Sequence, residues 1–268
     1  MISPQSISRI EASPGWRARR VEVFDLPEGK VLVKGQRPTR SPWPHRLMNL
    51  LTWLAGVPYL KAVPVHGGAR SQKIEIMRLR ALATSGLPVP QVHHVADDYF
   101  VMSYLGSRDL ALTLREQGAK AFDIWLQGME QLLRVHAQGQ YLSQCFARNI
   151  IVSDRLDGLI DFEDDPLEVM GLVQAQARDW LIYLQSTLWN LAADAPRLDA
   201  ALASVLSRES EPVRVVLRHA ARRLAWLRRL PTNRKVWGKD FVSLQAVAAA
   251  LHRHYLSESI QHPPRRSF

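Results

Sequence analysis

The chain has 268 residues, 47% of them hydrophobic, and a formal net charge of +10 at pH 7. That is enough apolar material to bury a sizeable core, in one large domain or two small lobes. Its single cysteine, Cys145, excludes an internal disulfide framework and points to a reducing, cytoplasmic compartment. The positive charge attracts polyanions without choosing among nucleic acid, anionic lipid and phosphorylated glycan.

The amino terminus lacks the basic region and long apolar run of a secretory signal, so export is not expected. Residues 7–12, 20–26 and 31–34 predict a three-stranded antiparallel meander, with turns at Ser13-Pro14-Gly15-Trp16 and Pro27-Glu28-Gly29. Lys34 closes the apolar run Val31-Leu32-Val33. A lysine in that position is costly unless its ammonium meets an anion. The partner we expect is Glu75, on a helix predicted over residues 71–85 with Ile74, Met77, Leu79 and Leu82 facing a core. Between the two lies an apolar insertion near residues 42–64, in which Met48, Leu50, Leu51, Trp53, Leu54, Val57 and Leu60 are interrupted by Asn49, Pro58 and Lys61. It is too broken to span a bilayer. It reads equally as a helix on a membrane surface or over a cleft, and as an internal packing helix.

Residues 99–106 predict a buried strand running into a turn. Helices follow over residues 108–116 and 121–138, the second with an apolar stripe of Ile124, Leu126, Met129, Leu132, Leu133 and Val135 and an end marked by His136 and Gly139. Asn149 then precedes a predicted hairpin, with a strand at Ile150-Ile151-Val152, a turn at Asp157-Gly158 and a second strand at Leu159-Ile160 that delivers Asp161 beside Asn149. Two side-chain oxygens so paired can hold Mg²⁺ on a nucleotide. The rest of the chain reads as helical. Arg214, Arg218 and Arg222 recur along one helical face, a solvated surface or an anion-binding one. Residues 259–268 read as a disordered tail.

The stretch from Asn149 to Glu163 resembles the catalytic loop and metal-binding segment of the protein-kinase-like superfamily, and in size the chain is closest to its bacterial lipopolysaccharide-kinase and RIO-like branch. The resemblance covers residues 21–179. It implies an α+β, two-lobed fold, with a small antiparallel-sheet lobe over residues 1–105 and a larger helical lobe over residues 106–258. It implies that Asn149 and Asp161 bind Mg²⁺, that the Lys34–Glu75 ion pair positions the phosphates of ATP, and that the backbone of residues 99–106 meets an adenine edge. It also implies that Asp179 props the catalytic loop by accepting its N–H groups; the plain alternative is a surface charge complementing a helix dipole.

Two departures matter. Only Gly15 stands where the family has a glycine-rich phosphate loop, and Gln144 stands where it has the catalytic aspartate. A glutamine orients a hydroxyl but is no general base. The expected activity is an ATP-dependent phosphotransferase with Gln144, Asn149 and Asp161 at its centre, Glu163, Asp164 or Asp165 as a substitute carboxylate, and an unknown acceptor, such as a lipid or glycan at the inner face of the membrane. The alternatives are a nucleotide-binding pseudokinase, an enzyme transferring another part of the nucleotide, and a non-enzymatic polyanion binder using the arginine-rich helix on nucleic acid. The last lacks any helix-turn-helix, zinc or aromatic RNA-binding signature. Attachment to an anionic inner-membrane surface through residues 47–60 and the arginines is a further expectation.

Overall fold

The computed structural model describes residues 2–38, 59, 61–64, 66–116, 120–191, 194–232 and 234–256. Strands β1 (Val21–Leu26), β2 (Gly29–Gly35), β3 (Val92–Val95) and β4 (Tyr99–Ser103) form an antiparallel sheet in the order β1-β2-β4-β3. Strands β5 (Ile150–Val152) and β6 (Leu156–Leu159) make a separate hairpin. The helices are α1 (Pro4–Ala12), α2 (Gly15–Arg19), α3 (Gly68–Thr84), α4 (Leu110–Glu116), α5 (Ala121–Ala137), α6 (Leu172–Leu191), α7 (Ala195–Leu206), α8 (Glu211–Leu224) and α9 (Arg234–Leu256). The class is α+β.

The amino terminus departs from expectation. Residues 7–12 are helical, not extended: Ser3 accepts from Ser6 N at 3.3 Å and Pro4 takes the first helical position, a local start signal that settles the conformation. Gly15 opens α2 instead of lying in a phosphate-covering loop. Here the Glu22 carboxylate accepts from Ser13 Oγ at 2.8 Å and from Trp16 N at 2.9 Å. A Cβ on Gly15 would stand 2.4 Å from Glu22 Oε2, so the glycine makes room for an internal carboxylate that already takes the free N–H.

Strand alternation explains where Lys34 points. Val31, Val33, Tyr99 and Val101 pack on Ile10 and Trp16 from α1 and α2. The opposite face, carrying Phe100 and Met102 with Leu32 packed alongside, joins the large core built from α3, α5, α6, α8 and α9. Lys34, two residues after Leu32 and paired in register with Phe100, therefore turns toward α3. On α3 the buried stripe is Gln72, Glu75, Ile76, Leu79 and Leu82. Met77, expected in the core, is 60% exposed, because the helix is rotated to bury polar residues, Ser71 among them: Gln72 Nε2 donates to Ala96 O at 2.8 Å and Tyr99 O at 3.2 Å, and Glu75 meets Lys34.

The hairpin turns at residues 153–155 rather than at Asp157-Gly158, and Gly158 sits inside β6. Leu159 N donates to Pro88 O at 2.9 Å. A Cβ on Gly158 would lie 2.9 Å from that same carbonyl and 2.4 Å from Leu105 Cδ1. The glycine thus serves close approach between the hairpin and the segments just before β3 and just after β4. Gly158→Ala is expected to cost about 1–3 kcal/mol, the usual price of overpacking, read as a lower denaturant midpoint. An unchanged midpoint would mean that the Pro88 segment yields freely.

Apart from Tyr59 and residues 61–64, the expected 42–64 insertion lies outside the described residues, as does the tail from 257 onward. Tyr59 and Val63 are both buried, Tyr59 in the main core and Val63 beside Tyr141, Met170 and Ala175. Among the described residues no helix is long and apolar enough to cross a membrane.

Candidate functional site

Lys34 is the centre of a charge cluster. Its Nζ lies 2.7 Å from Glu75 Oε1, 2.7 Å from Glu163 Oε1 and 3.1 Å from Asp161 Oδ1. Glu163 is also paired with Arg20, and with Arg37 NH1 at 3.1 Å. Three cations thus face three carboxylates. Burial opposes a charge on Lys34, but Glu75, Asp161 and Glu163 together hold its pKa above the usual lysine value. Burial pushes the Glu75 carboxyl up, only partly offset by Lys34. For Glu163 burial works in the same direction, yet Lys34 and Arg20 bring its pKa down to about 2, so it is a carboxylate at any physiological pH.

The loop after α5 carries the second group. Asn149 Nδ2 donates to Gln144 O at 2.9 Å, and because that acceptor is a carbonyl, the amide orientation is fixed with Oδ1 on the other side. Asn149 O accepts from Ile160 N at 2.9 Å, so Asp161 follows directly on Asn149's cross-strand neighbour. Asp161 has φ 71° and Ser143, beside Gln144, has φ 67°. Such left-handed conformations outside glycine are uncommon, and they cluster where surrounding structure dictates side-chain direction. Gln144 Nε2 donates to Asp164 Oδ2 at 2.7 Å. Asp164 is 9% exposed and its Oδ1 is buried without a hydrogen-bond partner among the described residues. Burial, reinforced by Asp161 and Glu163 and resisted by Arg37, raises its pKa to about 6.

Supporting contacts hold this loop. Leu142 N donates to Asp179 Oδ2 at 2.7 Å, with Asp179 1% exposed in the interior of α6. Of the two readings, the loop prop is the one observed; the surface charge at a helix start is not. Ala147 N donates to Ser186 Oγ at 2.9 Å. His136 is buried, its Nδ1 2.6 Å from Glu209 Oε2, which also accepts from Trp180 Nε1 at 2.7 Å. Cys145 is buried and its thiol is pushed well up by desolvation, an inert packing residue.

The structure therefore brings Lys34 and Glu75 together with Asp161, and Gln144 with Asn149, as two linked groups. Sequence reasoning missed Arg20 and Arg37, and named Glu163 only as a possible base. Of the substitute carboxylates, Glu163 is bound up in ion pairs. Asp165 caps a short 3₁₀ turn at Pro166–Glu168 and accepts from Tyr141 Oη at 2.7 Å. Only Asp164 reaches Gln144.

Glu75, Asp161 and Glu163 offer oxygens within 4.8 Å of one another, but the Lys34 ammonium fills their centre, so this triad as arranged holds an amine and not a metal ion. The donor set that the resemblance implies for Mg²⁺ is a different one. Asn149 Oδ1 and the Asp161 oxygen not engaged by Lys34 are hard oxygen ligands, and Mg²⁺ characteristically takes one or two protein oxygens and completes its shell with water and phosphate. Comparison of the chain with models of known protein families and with curated proteins gives no match.

Proposed function

We propose that the protein binds a magnesium–nucleoside triphosphate, ATP first among them, between the four-stranded sheet and the β5–β6 hairpin, in a two-lobed kinase-like fold. We further propose that it transfers the terminal phosphoryl group to an acceptor hydroxyl. The observation that carries this reading is the simultaneous contact of Lys34 with Glu75 on α3 and Asp161 after β6. A buried ammonium held by two elements stays aimed at phosphate oxygens once Glu163 has given way to them.

On this reading Lys34 neutralises phosphate charge, Glu75 keeps it aimed, and Asn149 and Asp161 would hold the metal. Bound there, Mg²⁺ would supply charge neutralisation on the phosphates. Since Gln144 gives its N–H to Asp164, its Oε1 lies on the other side of the amide, where it would accept a hydrogen bond from the acceptor hydroxyl. The acceptor oxygen bonds to the terminal phosphorus as the bond to the bridging oxygen breaks and the nucleoside diphosphate leaves with that electron pair. The hydroxyl proton is released to water, because Asp164, whose pKa burial raises to about 6, spends Oδ2 on the Gln144 amide at 2.7 Å and keeps Oδ1 buried.

The matched charges favour a second reading, a nucleotide-binding pseudokinase: with three cations already facing three carboxylates, no net positive charge is left over for a triphosphate. Attachment to an anionic membrane surface is a separate proposal. It rests on Arg222, Arg228 and Arg229, which have no carboxylate partner among the described residues, whereas Arg214 and Arg218 share Glu211.

Thermal melting tests nucleotide binding directly. At one hundred times its dissociation constant Mg–ATP should stabilise the fold by about 2.7 kcal/mol, a rise of several degrees for a chain of this size. The shift should vanish in Asp161→Ala. No shift at millimolar Mg–ATP, or an equal shift in the variant, would remove the reading.

A further inference from the structure

Beside the loop that carries Gln144 and Asn149 lies an open cavity of ≈ 450 Å³. Phe146, Ala147 and Arg148, three of the four residues between those two, form one wall; the other described lining residues are Asp109, just before α4, and residues of α4, α6 and α9. That volume suits a small metabolite. Two guanidinium groups line the cavity, Arg115 at the end of α4 and Arg148 on the loop itself. Neither has a carboxylate partner among the described residues. Asp109, the one acid among the described lining residues, spends Oδ1 on Leu112 N at 2.8 Å, capping α4.

Arg148 is held in advance. Its guanidinium lies over the Phe146 ring at 4.2 Å from the centroid, which restrains a long side chain while leaving its N–H edges available to a ligand. Planar guanidinium forks match phosphate oxygens, and the two together outweigh Asp109 in charge. The remaining lining adds Asn190, which can bond hydroxyls, and the indole of Trp189. Trp189 is 37% exposed, an aromatic face of the kind that packs against the C–H face of a sugar ring. Ser186 is already committed, since it accepts from Ala147 N at 2.9 Å and donates to Tyr183 O at 3.0 Å.

We propose that this cavity binds a sugar phosphate, with its phosphate on Arg115 and Arg148 and its ring toward Trp189. Resting on the phosphotransfer reading above, the bound molecule is the acceptor, anchored by one phosphate and presenting a hydroxyl toward Gln144. The binding site itself does not require that reading.

The test is calorimetric titration of the full chain with glucose 6-phosphate, ribose 5-phosphate and glycerol 3-phosphate, each against its unphosphorylated counterpart. At least one phosphorylated member should bind at least tenfold more tightly than its neutral partner. The Arg115→Ala/Arg148→Ala variant should lose at least tenfold in that affinity. Both arginines are exposed, so the variant should melt at the wild-type temperature and keep its Mg–ATP shift. Equal binding of neutral and phosphorylated forms, binding of none, or undiminished binding by the variant would overturn the assignment. The two readings separate cleanly. A Mg–ATP shift without sugar-phosphate binding sinks the cavity assignment alone. Arginine-dependent sugar-phosphate binding without any Mg–ATP shift upholds the site and sinks phosphotransfer.

Discussion

Lys34→Met is expected to destabilise the protein by about 3–5 kcal/mol at neutral pH, the usual consequence of leaving a buried charge without its partner, and to abolish stabilisation by Mg–ATP. Methionine keeps most of the stem's packing, so the loss reports charge. Asp161, the partly exposed residue of the cluster, finds water, and Glu163 keeps Arg20 and Arg37. Glu75 is different. It is 1% exposed, and Lys34 is the one cation it contacts among the described residues. Its pKa is raised by burial even in the wild type, and in the variant it rises further. The penalty is therefore full when pH lies above that raised pKa and shrinks as pH falls through it, because a protonated Glu75 no longer needs a cation. Urea unfolding of both proteins at pH 7.5 and pH 5 checks this. A gap that fails to narrow in acid would mean that the loss comes from packing.

Gln144→Asp is expected to raise phosphotransfer or ATP hydrolysis by up to about 10²–10⁴-fold, the range of general-base assistance, but chiefly in alkaline solution. The new carboxyl lies one methylene short of the amide that now donates to Asp164 Oδ2 at 2.7 Å, still close enough for the two acids to couple. Two carboxyls that close share one proton, pushing the upper pKa of the pair above the value of about 6 that burial already gives Asp164. The variant's rate should climb with pH across that upper pKa and then level. A profile parallel to the wild type's, with a lower rate throughout, would instead give the amide its own place in the working mechanism. If neither protein consumes ATP while both bind it, the pseudokinase reading takes over.

What could be read from the chain depended on whether the deciding forces were local. Lys34 and Glu75 were legible because a lysine closing a buried strand and a glutamate on the next helix each pose a burial problem that the other solves. Asn149 and Asp161 were legible because a short hairpin fixes their separation. Residues 7–12 fit a strand as well as a helix, and the deciding signal, Ser3-Pro4, sits just upstream of the ambiguous window. Asp157-Gly158 has the composition of a turn, and only the approach of Pro88 and Leu105 reveals that the glycine is needed inside a strand. Arg20 and Arg37 reach Glu163 across sequence separations of 143 and 126 residues, and no periodicity reports such a pairing. The lobe boundary at residues 105–106 stays an expectation of the resemblance, since Ile76, Phe100, Trp125 and Trp180 all belong to one core.

Glu163 gives the site a built-in competitor for its own ligand. A carboxylate tethered 2.7 Å from Lys34 and shared with two arginines is present at an effective concentration no dissolved anion approaches. A phosphate that uses those cations must first displace it, and observed affinity is then intrinsic affinity multiplied by the fraction of molecules in which Glu163 has let go. Whatever loosens the grip of Arg20 or Arg37 on that carboxylate, including movement of the short α2 helix just before Arg20, becomes a control on occupancy without touching the nucleotide.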